Sequence, residues 1–176
     1  ATVRPMETVA EFVGGYAIEG PVAEPRYESR PVAMIRSEAT KQYDVRVRTP
    51  EEDVVWDGEA SVWEPLVAEL LKLVARNKST LIFTNSRRLC ERVTLMLNTA
   101  AEETVAYAHH GSLSREIRGE VEQKLKSGEL RAIVSTSSLE LGIDVGALDE
   151  VVLIQSPHAI SSGVQRIGRA GHQVGE

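Results

Sequence analysis

Between Thr80 and Arg169 the chain alternates short apolar runs with amphipathic stretches, and no other feature restricts the fold as much. Leu81 to Phe83, Val105 to Tyr107, Arg131 to Val134 and Val151 to Ile154 are too short for buried helices and rich in aliphatic and aromatic residues, as short buried strands are. Between them, Ser86 is placed to cap a helix carrying Leu89, Val93, Met96 and Leu97. Ser112 or Ser114 starts another, with Ile117, Val121 and Leu125 four apart and Gly128 closing it. A last helix spans about 161–169. An earlier one spans about 64–77, with Pro65 in its first turn and Leu66, Val67, Leu70, Leu71 and Val74 as its apolar stripe. This order predicts an α/β fold with a mainly parallel sheet flanked by helices. The longest apolar runs are about five residues against the roughly 20 that span a bilayer, so no membrane partner is expected.

Upstream the pattern weakens. Residues 5–13 predict a short helix, with proline at its start and Gly14-Gly15 after it. Residues 15–31 hold three prolines and two glycines without a sustained period, and read as a linker or irregular arm. Residues 32–36 and 43–48 look strand-like, the second half-buried with an Asp/Arg outer face. Trp56 and Trp63 lie around the start of the helix at 64. Either could stack on a base, but beside an amphipathic helix packing is the simpler role, and both are assigned to the core.

The formal charge of −6 is uneven. Residues 1–60 carry 7 basic and 12 acidic side chains, whereas residues 61–176 carry 13 and 14, so the acidity says little about the second part. Fifteen of the 20 basic residues are arginine, the side chain suited to bidentate contact with phosphate, although surface ion pairs use arginine as well. Composition excludes collagen-like, disulfide-stapled and wholly disordered chains. The single cysteine, Cys90, can form no internal disulfide, which fits a reducing compartment, and a cytoplasmic location is expected.

In open α/β sheets ligands bind beyond the carboxyl ends of the strands. Here those loops are Thr84 to Arg87, Ala108 to Ser112, Ser135 to Leu139 and Gln155 to His158, all rich in Ser, Thr, Asn, His and Gly. One such loop would be helix capping; four on one edge suit a row of phosphates. Arg166 and Arg169, three apart, predict two guanidiniums on one helical face aimed at an anion, with Gly168 and Gly171 allowing another backbone to approach. An ion-pair cluster is the alternative. The chain has no GxxxxGK[ST] loop. Asp149-Glu150 precedes a strand, where it reads as a solvated strand start rather than a metal box. His109 and His110 are adjacent and lack a third ligand at metal spacing, so no metal site is assigned. By itself the chain holds half of a nucleotide site.

Residues 80–172 resemble the second RecA-like domain of superfamily 2 helicases, a P-loop NTPase fold. TLIFTNSRRLCERV (80–93) is similar to motif IV and its helix, HHGSLSREIR (109–118) to the His-Gly element with its later Arg118, STSSLELGIDVG (135–146) to motif V, and QRIGRAGH (165–172) to motif VI. The wording resembles most the large helicase-related (Lhr) family. DEAD-box RNA helicases usually begin motif VI with His and end it with Arg; Gln165 and His172 stand there instead. Residues 1–15 resemble the segment that follows motif III. The resemblance thus implies a fragment of a longer enzyme: 1–15 as the tail of a first RecA-like domain, 16–30 as linker, and 31–176 as the second RecA-like domain, ending after motif VI.

What the resemblance implies for individual residues agrees with the chemistry of the loops. Arg169 would be the arginine finger on the γ-phosphate of ATP, with Arg166 beside it as a second catalytic cation. Gly142, Asp144 and Gln165 would face the nucleotide, Asp144 accepting from the ribose. Asn85, Ser86, Arg87, His110, Gly111, Thr136 and Ser137 would grip the nucleic-acid backbone. Glu140 would bridge the two sites or cap a helix. The cofactors implied are ATP and Mg2+, shared with the first RecA-like domain. The partner is single-stranded or partially duplex nucleic acid, with DNA favoured, and the family implies DNA repair. The isolated chain should not hydrolyse ATP. The alternatives are a non-catalytic nucleic-acid-binding RecA-like module and a DEAD-box type RNA helicase domain.

Overall fold

The computed structural model describes residues 5–35, 42–49, 62–140 and 148–171. Contacts divide the chain into two compact units, Ala1–Val47 and Arg48–Glu176.

In the first unit, α1 (Met6–Gly14) begins after Pro5 and ends at Gly15, whose φ of 62° suits glycine. It is followed by an antiparallel hairpin, β1 (Tyr16–Glu19) and β2 (Arg26–Ser29), paired from Tyr16↔Ser29 to Glu19↔Arg26. This corrects the expectation of an irregular linker. Gly20 at φ 90° and the Glu24 N–H donating to the Pro21 carbonyl at 2.9 Å make the turn, so the breakers serve the hairpin. Its residues are almost all exposed, and without a buried face no hydrophobic period marks it. Residues 32–35 and 43–48 lie in no strand and are exposed, against the strand expectation. Within 43–48 the Arg46 Nε donates to Asp44 Oδ1 at 3.1 Å, so the Asp/Arg alternation serves a local ion pair.

The second unit runs α2 (Trp63–Arg76), β3 (Thr80–Phe83), α3 (Arg87–Ala101), β4 (Ala106–His109), α4 (Arg115–Lys126), β5 (Ala132–Ser135), a 3-10 turn (Ser137–Leu139), β6 (Glu150–Leu153) and α5 (Ile160–Ile167). Its four strands form a wholly parallel sheet in the order β4-β5-β3-β6, as the alternation predicted. β3 and β5 are central and fully buried, which explains their unbroken apolar runs.

Alternate residues of these strands feed two cores. Ile82 and Val134 meet Val67, Leu70 and Val74 of α2 and Cys90, Val93 and Leu97 of α3. Leu81, Phe83 and Ile133 meet Val121 and Leu125 of α4 together with Leu130, Leu139 and Leu148. Burying each large aliphatic or aromatic side chain contributes about 1.5–3 kcal/mol. Trp63 packs against the first core, as expected, under the Arg92 guanidinium 4.1 Å from its ring centroid. Trp56 lies outside the described residues.

Local chemistry sets the helix ends. Ser86 accepts from the Leu89 N–H at 3.2 Å. Ser114, rather than Ser112, caps α4 by accepting from the Ile117 N–H at 3.3 Å. At the start of edge strand β4, Asn98 accepts from the N–H groups of Val105 and Ala106 and donates to the Ala106 carbonyl. The Asp149-Glu150 pair does more than start a strand. Asp149 accepts from the N–H groups of Lys78 and Ser79 at 2.7 and 3.1 Å, and Glu150 accepts from Arg76 and Asn77, both at 2.8 Å. Among the described residues, no helix is long and apolar enough to cross a membrane.

Candidate functional site

Register brings the carboxyl ends of the four strands into line: Phe83 pairs with both Ser135 and Leu153, and His109 with Ser135. The loops leaving this edge surround an open cleft of about 570 Å3 lined by Asn85, Ser86, Arg87, Gly111, Thr136, Ser137 and Ser138. Six of the seven residues predicted to grip nucleic acid therefore share one cleft. Ser138 was not singled out from sequence, although it belongs to the same Ser/Thr-rich loop.

Each wall is held from beneath. Buried Thr84 donates its N–H to the Ser135 carbonyl at 2.8 Å and its hydroxyl to the Ser86 carbonyl at 3.2 Å, which fixes the loop after β3. Arg87 stands exposed in the first turn of α3, where a cation is unfavourable for the helix and adds to the positive N-terminal dipole. A Cβ built on Gly111 would meet nothing within 4 Å, so the cleft passes over bare backbone there. The Thr136 N–H donates to the His109 carbonyl at 3.3 Å, pinning the turn after β5 to β4.

The two adjacent histidines both point inward. His110 is 5% exposed; its Nε2 donates to Glu91 at 2.6 Å and its Nδ1 accepts from the Ser112 N–H at 3.3 Å. Its ring sits behind the Gly111 loop, and it is the one residue of the seven that is not among those lining the cleft. His109 is buried between Glu122 and Ser138, and burial pushes its pKa below the usual value against the opposing pull of Glu122.

Motif VI straddles the end of α5: the helix stops at Ile167 rather than near 169, leaving Arg166 inside it and Arg169 just beyond, and the expected pair of outward guanidiniums separates. Arg166 is 3% exposed, donating from Nε to Glu140 Oε1 at 2.6 Å and from Nη1 to Asn85 Oδ1 at 2.9 Å, with its guanidinium 5.1 Å from the Phe83 ring centroid. The anion it meets is therefore an internal carboxylate. Arg169 is half-buried and donates through Nε and Nη2 to the Glu140 carbonyl at 3.2 and 2.7 Å. Gln165 is partly exposed on the same helix.

The glycines of motif VI serve their own chain. The atom nearest a Cβ on Gly168 would be the Val164 carbonyl of its own helix, at 3.0 Å. Gly171, at φ 59°, donates its N–H to the Leu148 carbonyl at 2.9 Å. Gly142 and Asp144 lie outside the described residues, as does His172. Among the described residues no three His, Cys, Asp or Glu side chains converge to hold a metal.

A parallel sheet with a hydroxyl-lined cleft at its carboxyl edge and an arginine helix beside it defines the class. Residues 64–173 match the helicase conserved C-terminal domain, and the chain belongs to that family. The motifs' resemblance to Lhr proteins is matched by individual relatives. The chain is 39% identical over 209 residues to the Lhr helicase/probable uracil glycosylase of Mycolicibacterium smegmatis, covering 100% of this chain and 13% of that protein. It is 42% identical over 178 residues to the ATP-dependent helicase Lhr-Core protein 2 of Thermococcus barophilus, covering 100% of this chain and 20% of that one. In structure it is similar to Mycobacterium smegmatis helicase Lhr bound to ssDNA and AMP-PNP, with a TM-score of 0.82 and 43% identity over 99% of this chain and 22% of the other. The chain thus spans a fifth or less of the length of these curated relatives.

Proposed function

We propose that this chain acts as the second RecA-like half of an Lhr-type, ATP-dependent superfamily 2 helicase or translocase. The observation that carries the reading is the convergence of Asn85, Ser86, Arg87, Gly111, Thr136 and Ser137 on one cleft, with Arg169 held against the neighbouring Glu140. The relative bound to ssDNA and AMP-PNP supports the same assignment.

The substrate is ATP, taken up between this domain and a first RecA-like domain of the same polypeptide, to whose tail residues 1–15 belong. That partner holds the phosphates and Mg2+. The described residues here offer no metal-binding cluster, so no step is assigned to a metal on this chain. Arg169 supplies a permanently charged, planar donor to the γ-phosphate. Arg166, which meets Glu140 and Asn85 in this structure, stands beside it as the second catalytic cation. Gly142, Asp144 and Gln165 face the nucleoside.

The cleft holds the sugar-phosphate backbone of a single strand or of the single-stranded part of a duplex, DNA before RNA. Binding is therefore largely independent of sequence and weakens with salt. A cytoplasmic location and a role in DNA repair complete the reading.

The test is strand-stimulated ATP hydrolysis by the polypeptide carrying both RecA-like domains, wild type against Arg169→Ala, with the 176-residue chain alone as control. A loss of about 10³-fold or more, the scale of an arginine finger, is expected, with the isolated chain silent. An unchanged rate would leave a non-catalytic binding module as the better account. Stimulation by RNA but not by DNA would favour the DEAD-box type.

A further inference from the structure

The partners of the His109 ring allow one arrangement of its protons. Its Nε2 lies 3.0 Å from Glu122 Oε1, and an ionised carboxylate only accepts, so Nε2 carries the hydrogen. The neutral ring then presents a lone pair at Nδ1, and the Ser138 hydroxyl, 2.9 Å away, donates to it. Ser138 has a single proton, and this arrangement turns it inward. The cleft that Ser138 lines therefore meets the lone pairs of the hydroxyl, the wrong end for a phosphate oxygen. Protonation of the ring reverses the bond: Nδ1–H donates, Ser138 Oγ accepts, and the hydroxyl hydrogen is freed. The His109 carbonyl, 3.0 Å from Ser138 Oγ, already accepts from the Thr136 N–H at 3.3 Å and the Ser135 hydroxyl at 3.2 Å. Both of its lone pairs are thus engaged, and the freed hydrogen turns to the cleft.

We propose that a nucleic-acid strand enters the cleft together with one proton, which His109 takes up so that Ser138 can donate to a backbone phosphate. The proposal rests on the strand-binding cleft proposed above and deepens it, naming a further phosphate donor and what controls it. A proton from solvent adds to Ser138 Oγ from the cleft side while the hydroxyl's own proton passes to Nδ1. Ser138 remains a neutral hydroxyl, and the ring becomes imidazolium between Glu122 and Ser138. The charges around the ring oppose one another. On α4, Glu122 favours imidazolium and Arg118 disfavours it; the adjacent His110 disfavours it as well. On α3, Glu91 is engaged by His110 at 2.6 Å. Burial decides the balance in the strand-free protein and keeps the ring neutral, with its pKa below 6.5. A phosphate accepting from Ser138 lies within about 6 Å of Nδ1, near enough to favour imidazolium by on the order of 1 pKa unit or more. His109 is thus a positioning residue: it touches no strand and sets the direction of the Ser138 hydroxyl.

Linked protonation has a fixed sign. The complex holds the proton more tightly than the free protein, so affinity rises as pH falls through the raised pKa of the complex and levels off below the lowered pKa of the free protein. The experiment uses the polypeptide carrying both RecA-like domains and a labelled single-stranded DNA oligonucleotide at fixed salt, with anisotropy read from about pH 8 to about pH 5.5. Wild-type Kd falls about 10-fold over this range, the equivalent of one pKa unit. Ser138→Ala and His109→Gln each flatten the profile to within about two-fold. Calorimetry at about pH 6 in two buffers of different ionisation enthalpy reads net proton uptake on binding in wild type and none in either variant. Ser138→Ala keeps His109 in place and decides the matter should His109→Gln fail to fold. A flat wild-type profile would overturn the linkage and leave the strand-binding reading intact. So would a fall in Kd that both variants retain, which assigns the titration to His110 or His158. Absence of strand binding at every pH would overturn that reading, and this proposal with it.

Discussion

The ring of His109, at the end of β4, donates from Nε2 to Glu122 on α4 at 3.0 Å, and its Nδ1 lies 2.9 Å from the Ser138 hydroxyl in the turn after β5. One side chain thus ties an edge strand, a helix and a cleft wall together. Burial outweighs the attraction of Glu122 and keeps the imidazole neutral, with a pKa below its ordinary 6.5. As pH falls through that value the unfolded chain takes up a proton that folded His109 refuses, so the contribution present above pH 6.5 is lost on acidification down to the lowered pKa. The melting temperature should drop below pH 6.5, and His109→Gln should flatten that drop while costing about 1–2 kcal/mol at pH 8. Parallel pH profiles for the two proteins would remove His109 as the cause.

Gly111 and Arg87 separate shape from charge in the cleft. A Cβ at Gly111 meets no atom within 4 Å, so Gly111→Ala should fold with unchanged stability. It should still weaken binding of a labelled single strand, because the backbone can no longer approach closely. Arg87→Ala should lower affinity by removing one phosphate contact and reduce the magnitude of the log–log salt slope by about 1. Fluorescence anisotropy at several salt concentrations reads both effects. An undiminished slope in Arg87→Ala would take that side chain off the phosphate path.

At the opposite edge of the sheet, Asp149 accepts from two backbone N–H groups, at Lys78 and Ser79. Asp149→Ala should destabilise the domain by about 2 kcal/mol, with Asp149→Asn intermediate, since charged acceptors contribute more than neutral ones. Urea midpoints measure this. Strand affinity should not change, because the cleft lies at the other ends of the strands.

Cys90 is 0% exposed, its thiol donates to the Val134 carbonyl at 3.0 Å, and burial pushes its pKa up to about 11. At pH 8 roughly a thousandth of it is thiolate. Iodoacetamide should therefore leave the native chain unmodified for hours and label it at once in denaturant. Rapid labelling of the native chain would mean that α3 opens away from the sheet.

Much of the second unit was legible because its signals are local. Ser86 announces α3 three residues before the N–H it caps, and the short apolar runs at 81–83 and 132–134 mark strands buried on both faces. The hairpin at 16–29 was not legible. Its residues are exposed and its order comes from pairing Tyr16 with Ser29, which no period records. The strand expectations at 32–35 and 43–48 erred for the complementary reason: alternation marks a strand when a neighbour and a core accept it, and residues 43–48 are exposed.

The candidate site divides in the same way. Loop composition identified the cleft residues because polar groups at strand ends need no distant partner to be recognised. The histidines and motif VI arginines were different. Spacing of three predicted Arg166 and Arg169 on one helical face, yet α5 ends at Ile167, Arg166 turns to a carboxylate 26 positions away and His110 to Glu91, 19 positions away. What the sequence determined by itself was periodicity, helix caps, motif order and the chemistry of each loop, all written within a turn or two of chain. What only the tertiary structure decided was which polar side chains meet. The strand order β4-β5-β3-β6 packs together segments far apart in sequence, and a buried charge must take whichever partner that packing supplies.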